Sequence, residues 1–410
     1  MTRVKKLELL APAGDWEKLK IAVLYGADAV YLGGRQFSLR AGAGNFNDQE
    51  MLEGIQFAHC HGVKVYVTVN VFAHNDDLAK LPAYLEFLAK AGADAVIASD
   101  PGVIAAVLDA QPGLPIHLST QANTTNWASA ALWKRLGLQR IVLARELSWL
   151  EMKEIGERVD IELEAFVHGA MCMSYSGRCL LSNFLTGRDA NRGDCAQSCR
   201  WRDHLVEEKR PGQYFPVEED SRGTYFMSSK DLCLLPYIPK LADAGVTSLK
   251  IEGRMKSIHY LATVVKTYRQ ALDSYMQNPS AYQVEPGWLD EITKVSHREY
   301  TTGFFLGDQG KTATVEPEQS SYTRRVSFVG LVLGQDEQNG RTVVEQRNNF
   351  RAGEGLEVLT PRGDNFYVEG FKIFDKQTGE PMEAAPHPQQ IIHLSLEQEL
   401  PPMSMLRRIL

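Results

Sequence analysis

Four cysteines, Cys172, Cys179, Cys195 and Cys199, form a C-x6-C-x15-C-x3-C series in a stretch that also carries Arg188, Arg192, Arg200 and Arg202. Thiolates favour zinc or iron-sulfur clusters, and guanidinium groups favour phosphates and carboxylates, so the stretch pairs a soft-metal site with a basic surface. Four thiolates suit either a structural tetrahedral zinc or a 4Fe-4S cluster. Structural zinc sites draw on two short C-x2-4-C knuckles, and here only Cys195 and Cys199 make one. The wider spacing favours the larger cluster, with zinc as the alternative. The four stand among Ser, Gly, Arg and Asn rather than on an apolar face, which argues against simple core thiols. Cys233, in SSKDLCLLPYI, is a candidate substitute for one of the four, and Cys60, in GIQFAHCHG, reads as a buried thiol.

These residues need a scaffold. At 410 residues, 44% hydrophobic and 23% charged, the chain can bury one large domain and one small one. A net charge of -7 argues against bulk coating of nucleic acid but leaves room for a local basic patch. The opening MTRVKKLELLAPAG is too short in apolar residues for a signal peptide or a membrane span, so a cytoplasmic protein with no membrane attachment is expected. In a reducing compartment, six cysteines point to metal or redox work rather than disulfides.

From residue 7 onward, strand-like runs alternate with amphipathic segments: LELLAP, ADAVYLGG, VKVYVTVNVF, ADAVIASD, PIHLSTQA, QRIVLARE, IELEAFVHG and TSLKIEG. Gly26, Gly62, Gly92, Gly137 and Gly245 read as left-handed helix stops, and the phrase GADAV recurs at 26–30 and 92–96. Eight such units predict a (β/α)8 TIM-like barrel over residues 1–310, with a cysteine-bearing insertion at about 170–230. A doubly wound sheet is the competitor, but no strand leads into G-x-G-x-x-G, and Gly42-Ala43-Gly44 reads as a flexible loop. In a barrel, Asn70, Asp100, Gln121, Arg145, Glu146, His168, Lys250, Glu252 and Arg254 would meet at the mouth, unless some only cap helices or pair with one another. Among them His168 and Glu252 are the acid-base candidates. Inside the insertion, QYFPVEEDSRGTYFMSS reads as a hairpin turning near Ser221 to Gly223. Residues 320–410 read as a small antiparallel β-barrel with turns at Asn339-Gly340, Gly363-Asp364 and Thr378-Gly379. Its Arg324, Arg325, Arg347 and Arg351 either extend a basic face or are ordinary solvated charges.

The stretch EAFVHGAMCMSYSGRCLLS, Glu164 to Ser182, resembles the collagenase-like peptidase signature E-x-F-x2-G-[SA]-x-C-x4-G-x-C-x-x-S at every fixed position. ELLAPAG, GADAVYLGG, SDPG, HLSTQAN and LKIEGRMKS extend the likeness over most of the chain. Despite its name, that family includes members implicated in dioxygen-independent hydroxylation of tRNA wobble uridine, of an rRNA cytidine and of the ubiquinone ring. With GDCAQSCRW and a C-terminal β domain, the chain looks most like the tRNA 5-hydroxyuridine branch. The resemblance implies a 4Fe-4S cluster on Cys172, Cys179, Cys195 and Cys199, with Cys233 as a fifth thiol nearby, and prephenate as co-substrate. It also implies a tRNA anticodon loop as partner. Prephenate carries two carboxylates, for which Arg145, Lys250 and Arg254 offer charge-assisted pairs, with Gln121 beside them. A splayed wobble base would stack on Tyr175 or Trp201, and Arg188, Arg192, Arg200 and Arg202 would hold phosphates. Electrons would come from a donor or homologous partner protein that the sequence does not identify. The alternatives are a metallopeptidase with structural zinc, which lacks an H-E-x-x-H helix or G-x-S-x-G elbow, an rRNA cytidine hydroxylase, and a non-catalytic RNA-binding module.

Overall fold

The computed structural model of the protein describes residues 6–39, 44–111, 113–171, 230–307 and 325–410. Between 172 and 229 it adds Thr186, Arg188, Ala196 and the short strands at 205–206, 214–215, 217–220 and 223–226. Seven parallel strands come first: β1 (Glu8–Pro12), β2 (Ala29–Gly33), β3 (Lys64–Thr68), β4 (Ala95–Ala98), β5 (Ile116–Leu118), β6 (Arg140–Val142) and β7 (Glu162–Ala170). After the insertion come β8 (Asp231–Cys233) and β9 (Val246–Ile251). Strand β9 pairs in parallel with both β1 and β7, which closes an eight-stranded barrel. Short β8 runs antiparallel to the end of β7, and β10 (Tyr300–Thr301) extends it.

Helices α1 (Trp16–Leu24), α2 (Asp48–Cys60), α3 (Leu81–Ala91), α4 (Pro101–Ala110), α5 (Trp127–Arg135), α6 (Trp149–Arg158), α7 (Ile238–Asp243) and α8 (Ile258–Gln277) follow successive barrel strands or precede the next. Local sequence explains their limits. Asn47 accepts from Glu50 N while Glu50 accepts from Asn47 N, a reciprocal cap at the start of α2. At its far end α3 stops on Gly92 with φ 84°, a left-handed position that a side chain would strain. Cys60 is exposed rather than buried, because the buried face of α2 is Met51, Gly54, Ile55 and Ala58 and residue 60 falls off that stripe. In the insertion, strands 217–220 and 223–226 pair antiparallel with Asp220 opposite Gly223, the expected hairpin.

The C-terminal part is an antiparallel sheet, a half-barrel of eight strands: β11 (Val326–Gln335), β12 (Thr342–Gln346), β13 (Leu356–Leu359), β14 (Phe366–Val368), β15 (Lys372–Asp375), β16 (Pro381–Met382), β17 (Ile391–Ser395) and β18 (Met405–Ile409). Their order is β14-β13-β18-β11-β12-β17-β15-β16. The sheet docks on α8, α1 and α9 (Pro286–Thr293) through apolar and ionic contacts. Arg407, 0% exposed, reaches Glu291 at 2.6 Å and Glu357 at 2.9 Å, and Lys294 pairs with the same two acids at 2.9 Å each. Arg347 pairs with Glu17 of α1, and Arg325 lies 3.6 Å from Asp290. Arg347 therefore serves the contact with the barrel, Arg325 is a mostly exposed charge beside Asp290, and Arg324 lies outside the described residues.

The hydroxyl of Tyr25 lies 3.0 Å from the carbonyl of Leu359 and 2.9 Å from that of Met403, tying the end of α1 to the sheet. Tyr25→Phe should lower unfolding free energy by about 1–2 kcal/mol, read as an earlier denaturant midpoint at unchanged slope. Among the described residues, no helix is long and apolar enough to cross a membrane.

Candidate active site at the barrel mouth

A cavity of about 100 Å³ opens where the strands end, lined from seven of the eight barrel strands or the residues just after them. Thr68 and Asn70 come from β3, Ser119, Thr120 and Gln121 from β5, Arg145 from beyond β6, and Phe166 from β7. Lys250, Glu252 and Arg254 come from β9 and its end, while Tyr31, Leu39 and Ile97 complete the wall. Six of the nine mouth candidates meet there: Asn70, Gln121, Arg145, Lys250, Glu252 and Arg254. The C-terminal end of a (β/α)8 barrel is where loops are free to vary without disturbing the packed strands.

The cations differ in how much of each remains for a ligand. Arg145 donates to Ala170 O at 2.9 Å and stacks 4.8 Å from the Phe166 ring centre, and its other N–H groups have no partner among the described residues. Lys250 donates to Glu164 at 2.8 Å and sits 4.5 Å over the Tyr31 ring and 5.4 Å from Phe166. Its other two N–H groups have no described partner. Arg254 is a tether: it donates to Ser38 Oγ at 2.9 Å, Leu39 O at 3.0 Å and Asn45 Oδ1. Gly33 makes room for it, since a Cβ there would stand 2.7 Å from the guanidinium. Arg254→Lys should therefore raise hydrogen exchange at Ser38, Leu39 and Asn45 by about tenfold, through loss of the planar fork. Asn70 donates to Gln121 at 3.1 Å, so the two amides form one polar wall. The Glu252 carboxylate makes no hydrogen bond or ion pair to a described residue.

Beneath the cavity the lumen holds a neutralised charge cluster that sequence reading missed. Glu164, 0% exposed, accepts from Lys250 at 2.8 Å, Arg140 at 3.1 Å and Ser248 at 3.2 Å. Arg140 also pairs with Glu8 at 2.6 Å and Glu162 at 2.7 Å. Burial would raise the Glu164 carboxyl pKa, but Lys250 and Arg140 outweigh it and hold the group below the usual carboxylate range. The only hint in the sequence is the alternation of Glu164 with Phe166 on a strand whose other face, Leu163, Ala165 and Val167, is apolar.

Three candidates lie elsewhere. Asp100 caps α4, accepting from Gly102 N at 2.8 Å and Val103 N at 3.1 Å. Glu146 sits in the turn after β6, outside the cavity lining. His168 is the main correction: simple alternation after Glu164 and Phe166 aims it at the mouth, yet it is 1% exposed and absent from the lining. The register explains this. Phe166 stands opposite Lys250 but His168 stands opposite Ile251, so one extra residue on β7 turns the imidazole to the helix side. There it packs against the rings of Tyr260, Tyr268 and Tyr300. Burial, with Lys256 nearby, pushes its pKa down to about 3, so it is neutral and no acid-base group near pH 7. The folded pKa lies below the unfolded one, so the folded state binds fewer protons between about pH 6.5 and 3 and loses stability as pH falls through that window. The loss is up to about 1.4 kcal/mol per pH unit, and His168→Gln should flatten it in acid-unfolding curves.

Cys233, the candidate substitute for one of the four thiols, is also buried. It lies in the apolar core on β8, and burial pushes its thiol up to about 11, with bonds to Leu235 and Tyr268 only partly offsetting this. Enclosed in that core and bonded to Leu235 and Tyr268, Cys233 has the setting of a packed thiol rather than of one offered to a metal. Cys172, Cys179, Cys195, Cys199, Arg192, Arg200, Arg202, Tyr175 and Trp201 lie outside the described residues, and Arg188 is exposed. The described chain reaches Met171, one residue beyond β7, beside the Arg145 to Ala170 contact.

Compared with known proteins, residues 14–314 match peptidase family U32 and residues 324–407 match the peptidase family U32 C-terminal domain. The chain is 45% identical over 404 residues to "tRNA hydroxylation protein P1" of Bacillus subtilis (strain 168), covering 98% of this chain and 95% of that protein. It is 37% identical to "tRNA hydroxylation protein P" of Escherichia coli (strain K12), covering 96% and 95%. It is 34% identical to "23S rRNA 5-hydroxycytidine C2501 synthase" of Escherichia coli (strain K12), covering 92% of this chain and 55% of that protein.

Proposed function

The chain belongs to peptidase family U32, and from that premise we propose that it is a tRNA hydroxylase acting on C5 of the wobble uridine, prephenate-dependent and independent of dioxygen. The observation that carries the reading is the near full-length match, at 45% identity, to a relative named for tRNA hydroxylation. The relative named as a 23S rRNA 5-hydroxycytidine synthase is matched over only 55% of its length, which favours the tRNA reading.

The mouth fits a small dicarboxylate. Arg145 and Lys250 lie against the same Phe166 ring, each with N–H groups to spare, so two carboxylates of one ligand can each meet a cation while an apolar ring rests on an aromatic wall. Glu252, unpaired among the described residues, is the remaining acid-base candidate there and is suited to accept a hydroxyl proton from the ligand. Arg145→Ala should raise the prephenate concentration for half-maximal hydroxylation about tenfold or more. Its visible spectrum should stay that of wild type; loss of the spectrum as well would mean that Arg145 is structural.

Uridine C5 does not yield to acid-base chemistry alone, so a redox group is required. By donor chemistry the four thiols Cys172, Cys179, Cys195 and Cys199 suit a 4Fe-4S cluster, which when bound would supply one-electron chemistry. The protein's own residues bind and orient the dicarboxylate, and the basic residues around the cysteines suit the phosphates of a single-stranded anticodon loop. Anaerobic purification tests the cofactor: a coloured protein with about four irons and four sulfides per chain is expected. A colourless, zinc-only protein would overturn the redox reading.

A further inference from the structure

We infer that Glu164 is a positioning residue for the mouth: from inside the barrel it fixes the Lys250 ammonium so that the two remaining N–H donors face the ligand carboxylate. The inference rests on the reading that the cavity holds a carboxylate ligand. Lysine carries a flexible four-carbon stem, and an ammonium without a fixed partner has many rotamers. Here the ammonium lies 4.5 Å from the centre of the Tyr31 ring and 5.4 Å from that of Phe166, and it is bonded by Glu164, which is 0% exposed and not part of the cavity lining. Glu164 is itself immobilised, because its second oxygen accepts from Arg140 and Ser248, and Arg140 is anchored in turn by Glu8 and Glu162. The chain of contacts thus runs from the closed end of the barrel to its mouth. Among its enclosed members the charges balance, since Glu8 and Glu164 offset Arg140 and Lys250, while Glu162 is 56% exposed.

The sign of the effect separates positioning from simple electrostatics. Removing a negative charge beside an anion site should, by charge alone, tighten anion binding. If Glu164 acts through Lys250, its removal weakens binding instead, and only while Lys250 is present.

The test is a double-mutant cycle on the full chain, with prephenate affinity measured by anaerobic titration calorimetry and folding checked by thermal melts. Glu164→Gln should weaken prephenate binding about tenfold in the Lys250 background and less than about twofold in Lys250→Met. Glu164→Asp, which keeps the charge one methylene back, should recover part of the loss, and it carries the same cycle if Glu164→Gln fails to fold. Equal losses in both backgrounds, or tighter binding in Glu164→Gln, would overturn the inference. Malonate is the second probe. If wild type binds malonate with the same coupling but not prephenate, Glu164 keeps its role and the prephenate reading falls. If it binds neither, both fall.

Discussion

Glu164→Ala is expected to lower the unfolding free energy by about 3–5 kcal/mol, the cost of breaking a buried ion pair by removing one partner. The carboxylate is fully enclosed and accepts from Lys250, Arg140 and Ser248. Without it, two buried cations remain in the lumen, and only Arg140 retains other acids, Glu8 and Glu162. Lys250 then has no counter-ion among the described residues and can leave its charge uncompensated only at large cost. The penalty should therefore depend on Lys250. In the Lys250→Met background the same substitution should cost about 1–3 kcal/mol less, read from denaturant midpoints of the four proteins. A purely additive cycle would mean that the cluster stabilises the barrel by packing rather than by pairing.

The second large effect concerns the thiols. Serine in place of Cys172, Cys179, Cys195 or Cys199 should each bring hydroxylation below about 1% of wild type, together with loss of iron and of visible absorbance. Cys233→Ser should do neither. Its side chain is in the core, bonded to Tyr268 and Leu235 rather than offered to solvent, and a serine there can keep the same partners. The expected cost is about 1–2 kcal/mol of stability, since a hydroxyl is more polar than a thiol in an apolar surround. Loss of iron in Cys233→Ser with retention in Cys199→Ser would reverse this assignment of the fourth ligand.

Local chemistry made the barrel legible. Gly26 and Gly92, each opening a GADAV repeat, have φ of 108° and 84°, so the repeated phrase marks a helix stop followed by a strand start. The mouth was legible where a polar residue simply follows an apolar strand, as with Asn70, Gln121 and Arg145. It failed where one residue changes the register: the bulge beside Val167 has no sequence mark, and it moves His168 from the mouth to a tyrosine cage. The lumen cluster was hidden for another reason. Arg140 meets Glu8 across 132 residues and Arg254 meets Ser38 across 216, and a linear pattern says nothing about partners that far apart. Cys60 misled because a cysteine in a helical segment says nothing by itself about which face it occupies.

Hydroxylation of wobble uridine is read from nucleoside analysis of total tRNA. In a strain lacking this protein and any second family member, 5-hydroxyuridine and its derivatives should disappear. They should return with the wild-type chain but not with Cys172→Ser. Unchanged 5-hydroxyuridine derivatives in the deletion strain would contradict the claim, and a loss of rRNA 5-hydroxycytidine in their place would move the substrate to the ribosome.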